Sequence, residues 1–177
     1  MTLNNAEIVT QAQNGDKESL DQLTGQAQKR IRAYLYRCTM DFDVADELTQ
    51  ETTLAMIQSI KNLKKADSFW PWLYKVARSK LNAHYRKKKA EQKQKTENFC
   101  RQYMARMSEK TSREGLENIL RTELARTVIS TIQELKPNER EILSLRCLDR
   151  LGYADIAQIT DCTEKSARIQ FFRAKQA

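Results

Sequence analysis

Tyr153-Ala154-Asp155-Ile156-Ala157-Gln158-Ile159 reads as a short helix, Thr160-Asp161-Cys162 as a tight connection, and Thr163-Glu164-Lys165-Ser166-Ala167-Arg168-Ile169-Gln170-Phe171-Phe172-Arg173-Ala174-Lys175 as a second helix. This stretch decides the fold. Ile156, Ala157 and Ile159 turn to one side of the first helix, and Ala167 and Phe171, four apart, share a face of the second. Thr163 stands where a capping hydroxyl is wanted. The small Ala157 lets two helices approach closely, as a helix-turn-helix requires, with the second helix free to enter a major groove. Lys165, Arg168, Ile169, Phe172 and Arg173 fall on the other side of that helix, and Arg side chains there reach base edges or phosphates. Spacing alone fits an ordinary helical hairpin equally well. The basic residues on one face, with few acidic ones among them, tilt the reading towards DNA.

The rest of the chain agrees with a helical protein. Its 177 residues allow one domain or two small ones. Four Gly and two Pro are too few for the tight turns of a sandwich or barrel. An apolar share of 40% beside 31% charged residues supports modest cores rather than disorder. The expected fold is all-α: two small helical domains joined by a linker.

Charge is placed unevenly. The 31 Lys and Arg against 23 Asp and Glu leave +8 overall. Residues 1–60 are net acidic, with 5 basic and 9 acidic side chains, while residues 61–95 carry 12 basic and 2 acidic ones. A segment so basic attracts a polyanion through counterion release, although a solvated basic face has the same composition.

Working back from the helix-turn-helix, Asn138–Leu148 reads as a helix, and apolar positions from Leu116 through Ile119, Leu120, Leu124, Val128 and Ile132 to Leu135 predict another. Between Ala90 and Arg113 apolar residues are sparse, which marks a linker. Towards the N-terminus, Gly15-Asp16 is a stop followed by an N-cap, opening a helix through Leu20 and Leu23, and Ile31, Leu35 and Cys38 continue the apolar spacing. Asp41-Phe42-Asp43 interrupts it. The next helix turns Ala45, Leu48, Thr52, Ala55, Met56 and Ile60 inward and shows Asp46, Glu47, Gln50 and Glu51 on its opposite face. Ser68 then caps the most aromatic stretch, Ser68-Phe69-Trp70-Pro71-Trp72-Leu73-Tyr74-Lys75-Val76-Ala77-Arg78, which runs past Leu81 and Tyr85 into Arg86-Lys87-Lys88-Lys89. Pro71 suits a first helical turn, where its missing N–H is not needed.

Several of these stretches resemble, in order, the small extracytoplasmic-function (ECF) group of bacterial sigma-70 RNA polymerase sigma factors. Ala12-Gln13-Asn14-Gly15-Asp16-Lys17-Glu18-Ser19-Leu20 is similar to the family's opening A-x-x-G-D-x-x-A-F, and Asp46-Glu47-Leu48-Thr49-Gln50-Glu51-Thr52 to its D-L-V-Q-E-V-F. Ser68 to Ser79 is similar to S-F-R-T-W-L-Y-R-I-A-R-N, Leu135 to Leu143 to L-P-P-R-Q-R-E-V-L, and Ile159 to Lys175 aligns without a gap to I-L-G-V-P-V-G-T-V-K-S-R-L-H-R-A-R. Each motif alone is weak; their common order is strong. The chain departs from the pattern at Ala83, where Asp is common, at Trp70-Pro71 in place of Arg-Thr, at Lys165 in place of Gly, and at Gln170 and Phe172 in place of Arg and His. Those departures leave the promoter sequence unread.

The resemblance implies a division into residues 1–92 (region 2, polymerase clamp and promoter −10 binding), a linker over 93–113, and residues 114–177 (region 4, −35 binding). It implies that Asp46, Glu47, Leu48, Gln50 and Glu51 dock on the clamp helices of the polymerase's largest subunit. It assigns Phe69, Trp72, Tyr74, Lys75, Arg78, His84, Tyr85, Arg86, Lys87 and Lys88 to the −10 DNA. There aromatic rings stack on unpaired bases at about 1–3 kcal/mol per base and cations hold the strand. An aromatic stripe at helical spacing is also ordinary core, and Trp72 and Val76 are expected there. Lys165, Ser166, Arg168, Ile169, Phe172 and Arg173 are assigned to the −35 element. The implied partners are core RNA polymerase, promoter DNA and an anti-sigma factor. Two bundles on a pliable strap would grip separate stretches of promoter.

Other classes fit less well. No apolar run of membrane-spanning length occurs, the start lacks a secretory signal's basic flank and apolar stretch, and the expected location is cytoplasmic. Cys38, Cys100, Cys147 and Cys162 are scattered, and His84 is the single histidine, so neither a metal site nor a cofactor is expected. With one His and no Gly-rich phosphate loop, an enzyme is not expected either. A stand-alone helix-turn-helix regulator with an N-terminal ligand or dimerisation module remains the alternative function.

Overall fold

The computed structural model describes residues 5–99 and 135–176, and every regular element among them is helical. The N-terminal half holds α1 (Asn5–Gln13), α2 (Lys17–Thr39), α3 (Phe42–Ser59) and α4 (Phe69–Phe99). The C-terminal half holds α5 (Pro137–Leu143), continued by a π-helical turn over Ser144–Leu148, then α6 (Tyr153–Thr160) and α7 (Glu164–Gln176). The all-α expectation holds. The predicted helix from Leu116 and most of the predicted linker lie outside the described residues. The linker's first residues, 93–99, continue α4 as helix.

Local chemistry sets the helix ends. The Asp16 carboxylate accepts from the Ser19 N–H at 2.9 Å and opens α2, and these hydrogen bonds hold its pKa below the usual value. Met40, left-handed at φ 55°, closes α2 by donating its N–H to the Tyr36 carbonyl at 2.8 Å. Asp41 then caps α3 by accepting from the Val44 N–H at 3.1 Å. Thr163 caps α7, its hydroxyl accepting from the Ser166 N–H at 3.1 Å. The sequence does not announce α1; its Ile8, Val9 and Ala12 are buried, and the Gln13 amide donates to the Ile60 and Leu63 carbonyls.

Apolar faces converge as the spacing predicts. Leu23, Ala27, Ile31 and Leu35 of α2 meet Ala45, Leu48 and Met56 of α3 and Leu73 and Ala77 of α4. In the C-terminal bundle Ile142, Leu145, Ile156, Ile159, Ala167 and Ala174 are buried. Full burial of one Leu or Ile contributes about 1.5–3 kcal/mol, so this set supplies most of the driving force.

The sequence does not say how the two bundles lie relative to each other, and the structure adds this. Residues 1–81 and 135–177 form one compact unit, with α2 packed on α5 and on the π turn that follows it. The two bundles are docked, and buried polar groups of each find partners on the other. The second unit spans residues 82–134, and its described part is the continuation of α4.

Candidate functional site

Three surfaces carry the sequence-predicted residues. On α3, Glu47, Gln50 and Glu51 are exposed, and Glu51 has the Lys80 ammonium at 3.2 Å. Arg32 from α2 clasps Asp46 through Nε and Nη2, which lowers the Asp46 pKa and raises that of Arg32. Leu48 is 3% exposed and packs in the core, so it supports this face from beneath and does not itself present to a partner. Leu54 and Ile57 extend the surface, 60% and 41% exposed. The apolar pattern missed them, although Leu54 already falls outside the inward spacing.

The aromatic segment divides differently from expectation. Phe69 and Tyr74 are buried and are not available for base stacking. Phe69 packs edge-on to Trp70 at a centroid distance of 5.1 Å, and Tyr74 edge-on to Tyr34 at 5.2 Å. Burial raises the phenol pKa of Tyr74, with the negative charge of Asp149 adding to it. Trp72 is half-buried, as is Val76. The polar positions of this helix divide between an exposed Lys75 and a mostly sheltered Arg78. Lys75 is exposed and its ammonium donates to Asp161 Oδ1 at 2.5 Å, which lowers the Asp161 pKa. Arg78 Nε donates to Glu141 Oε1 at 2.9 Å and Nη1 lies 3.7 Å from Asp161 Oδ2. Further along α4, Tyr85, Arg86, Lys87 and Lys88 are exposed and His84 is half-buried, its ring centroid 6.0 Å from that of Tyr85.

On α7, Lys165, Arg168, Ile169, Phe172 and Arg173 all project outward, and Ser166 is half-buried with its hydroxyl accepting from Gln170 Nε2 at 3.0 Å. Phe172 is 63% exposed, a large apolar side chain in water on a basic face. Such a surface suits thymine methyls beside phosphates and guanine edges. Arg168 is held in place: Glu164 accepts from it at 2.8 Å, and its guanidinium carbon sits 5.0 Å from the Tyr153 ring centroid. Arg146 approaches the same ring at 4.7 Å. The turn before α7 places Asp161 in the left-handed region at φ 52°, its N–H returning to the Ala157 carbonyl. Asp tolerates that conformation better than most residues.

The sequence reading missed the residues that join the bundles. Tyr34 donates its hydroxyl to Glu141 Oε1 at 2.8 Å, and burial raises its own pKa. Arg37 donates to the Ser144 hydroxyl and to Asp149 Oδ2, the latter at 2.7 Å. Glu141 and Arg37 each sit beside apolar positions, the one signal that they are not plain surface charges. Among the described residues no cluster of His, Cys, Asp and Glu could hold a metal ion, and no helix is long and apolar enough to cross a membrane.

Comparison with known proteins matches the two halves separately. The family model for Sigma-70 region 2 covers residues 23–91, and that for Sigma-70 region 4 covers residues 125–177. The RNA polymerase sigma-H factor of Pseudomonas aeruginosa is 28% identical over 173 residues, 97% of this chain and 90% of that protein. The ECF RNA polymerase sigma-E factor of Haemophilus influenzae is 29% identical over 175 residues, 96% of this chain and 90% of that protein. Two solved structures share the fold: CnrH in complex with the cytosolic domain of CnrY (TM-score 0.67, 19% identity, 97% of this chain and 92% of that one). The other is the sigma factor RpoE of Bartonella quintana in complex with the anti-sigma factor NepR (TM-score 0.68, 17% identity, 90% and 93%).

Proposed function

Because this chain belongs to the extracytoplasmic-function group of the sigma-70 family of RNA polymerase sigma factors, we infer that it binds core polymerase, recognises promoters and helps open them at initiation. The observation that carries this is the presence of surfaces of unlike charge on one chain. An acidic α3 face, Glu47, Gln50 and Glu51, suits a basic partner helix, while the basic α7 face and the Lys75–Lys88 side of α4 suit nucleic acid.

The division of labour follows the matched regions. Residues 1–92 act as region 2, clamping polymerase and holding the −10 strand; residues 114–177 act as region 4 at −35; residues 93–113 link them. Since Phe69 and Tyr74 are buried, strand contact falls to Lys75, Arg78, Tyr85, Arg86, Lys87 and Lys88. The chain supplies no chemistry of its own and works in the cytoplasm, where polymerase is. CnrH and the Bartonella RpoE were each solved with a partner, NepR being an anti-sigma factor, and this chain takes an inhibitor of that kind.

The test is core-polymerase binding by a charge-reversed variant, Asp46→Lys/Glu47→Lys/Glu51→Lys. Affinity falls sharply while helicity is kept. Unchanged affinity would remove the clamp assignment. A gel shift on promoter duplex separates the alternative of a stand-alone regulator, which binds without polymerase.

A further inference from the structure

We infer that a polar cleft between α5 and α7 seats a phosphate of the DNA backbone beside the −35 element, with Lys136 as its chief cation. The inference rests on the sigma-factor reading for bringing duplex DNA to α7. It adds to that reading residues that hold a strand without reading its bases.

The cleft lies along the contact of two helices. Ile142 of α5 and Ala167 and Ala174 of α7 are buried in one core, so the polar edges of the two helices are fixed relative to each other. Between those edges is a cleft of about 270 Å³ lined by Lys136, Asn138, Glu139, Gln170 and Arg173. On α7, Ser166, Gln170 and Arg173 follow at spacings of four and three and form one stripe. That stripe flanks the face made by Lys165, Arg168, Ile169 and Phe172. A helix about 10–12 Å across fills a major groove about 12 Å wide, which leaves a phosphate backbone along each flank. The cleft therefore stands at the edge of the groove when α7 lies on its floor.

Its chemistry suits an anion. Lys136 brings an ammonium, Arg173 a guanidinium, and Asn138 and Gln170 bring amide donors. Gln170 is steadied by its Nε2 donating to the Ser166 hydroxyl at 3.0 Å. Lys75, Arg78 and Arg168 each have a carboxylate partner, whereas among the described residues neither Lys136 nor Arg173 has one. The carboxylate in the lining, Glu139, is turned to the backbone, where its Oε2 accepts from the Lys136 N–H at 3.1 Å. Two cations against one carboxylate favour a phosphate, and the Glu139 charge moderates the affinity.

Size selects the kind of phosphate. Pockets that enclose a drug-sized molecule run to about 300–1,000 Å³, and this cleft falls below that range. It fits a phosphodiester unit passing through better than a whole nucleoside polyphosphate. Lys136 stands where the family pattern has Pro, so this cation belongs to this chain rather than to the motif. Phosphate contacts fix the register of a reading helix and carry no sequence information. Lys136 therefore raises promoter affinity alike for every −35 sequence.

The test uses the full chain with core polymerase on a promoter duplex recovered by run-off transcription. Methylphosphonates, which lack the phosphate charge, replace the backbone phosphates flanking the −35 element one at a time. Wild type should weaken about threefold or more at one or two adjacent positions, and Lys136→Gln should be indifferent there. One phosphate contact accounts for about a threefold loss of affinity between about 50 and 200 mM salt, so the variant should lose about threefold less over that range. Glu139→Gln, which keeps an acceptor for the Lys136 N–H, should bind several-fold more tightly than wild type. Lys17→Gln, an exposed cation in the N-terminal half, is the control and should match wild type. The same methylphosphonate profile in Lys136→Gln as in wild type overturns the cleft. If Lys136→Gln loses helicity, Glu139→Gln decides, and affinity no higher than that of wild type overturns it. Binding of free ATP that Lys136→Gln abolishes, beside unchanged methylphosphonate profiles, assigns the cleft to a nucleotide and overturns the backbone contact. A chain that directs no initiation but binds a duplex by itself sinks the sigma-factor reading, and the same profile on that duplex still decides the cleft. A chain that does neither sinks both.

Discussion

Tyr34 and Glu141 lie 107 residues apart and meet in the buried joint between the bundles, which makes them a sharp probe of docking. Tyr34→Phe keeps the ring and its edge contact with Tyr74 but removes a hydrogen bond to a charged acceptor. Such bonds contribute about 1.5–3 kcal/mol, and because Glu141 retains Arg78 the loss belongs near the low end, about 1.5 kcal/mol. Glu141→Gln keeps one acceptor oxygen but leaves Arg78 with only the exposed Asp161 carboxylate, 3.7 Å away, as counter-charge. The full 3–5 kcal/mol for breaking a buried pair does not apply, since Arg78 is partly solvated, and about 2 kcal/mol is expected. In the double variant the Tyr34 change removes only the weaker, neutral bond that the amide at 141 still accepts, about 0.5 kcal/mol in place of 1.5. The two changes together should cost about 2.5 kcal/mol, a coupling near 1 kcal/mol. Urea unfolding followed by helical circular dichroism measures all four proteins. Strict additivity would mean that the hydroxyl and carboxylate do not meet in solution, and the docked arrangement would fall with it.

Three further outcomes follow from the same contacts. Ile156→Ala, at a fully buried position of α6, should cost about 2–5 kcal/mol of stability, read by the same unfolding curves. Stability against pH should be level across the neutral range and fall at both ends. Asp16, Asp46 and Asp161 have lowered pKa values, so their contribution is present above the usual 3.8 and is lost as pH falls through the lowered values. Tyr34 and Tyr74 are raised by burial, so theirs is present below the usual 10.0 and is lost as pH climbs through the raised ones. Tyr153→Leu removes the ring against which Arg146 and Arg168 rest, and should weaken −35 recognition several-fold in a promoter-binding assay while core-polymerase affinity stays the same.

Much of the fold was legible because it is written locally. Asp16 and Thr163 act as caps where their spacing to the next apolar run says they should, and Ile156, Ala157 and Ile159 turn inward as a 3.6-residue period requires. The basic, apolar-tipped face of α7 was readable for the same reason: once Ala167 and Phe171 fix the inward side, Arg168 and Phe172 have nowhere else to go. The aromatic stretch was legible only as a stretch. Whether Phe69, Trp72 or Tyr74 faces water depends on which rings α2 offers, and Tyr34 claims Tyr74 from a distant part of the chain. Leu48 failed as a contact residue because its place in a family motif and its place in the inward spacing disagree, and burial followed the spacing. The docked joint was barely legible. The apolar neighbours of Glu141 mark it as more than a surface charge, but do not say that it will meet Arg78, and pairing of charges across such separations is decided by how two finished bundles fit.

Run-off transcription with core polymerase on genomic fragments tests the sigma-factor assignment most directly. With the chain added, discrete transcripts should start downstream of a shared pair of promoter elements, and without it none of those transcripts should form. Specific duplex binding by the chain alone, together with no new transcripts from the polymerase, would contradict the assignment and favour a stand-alone regulator.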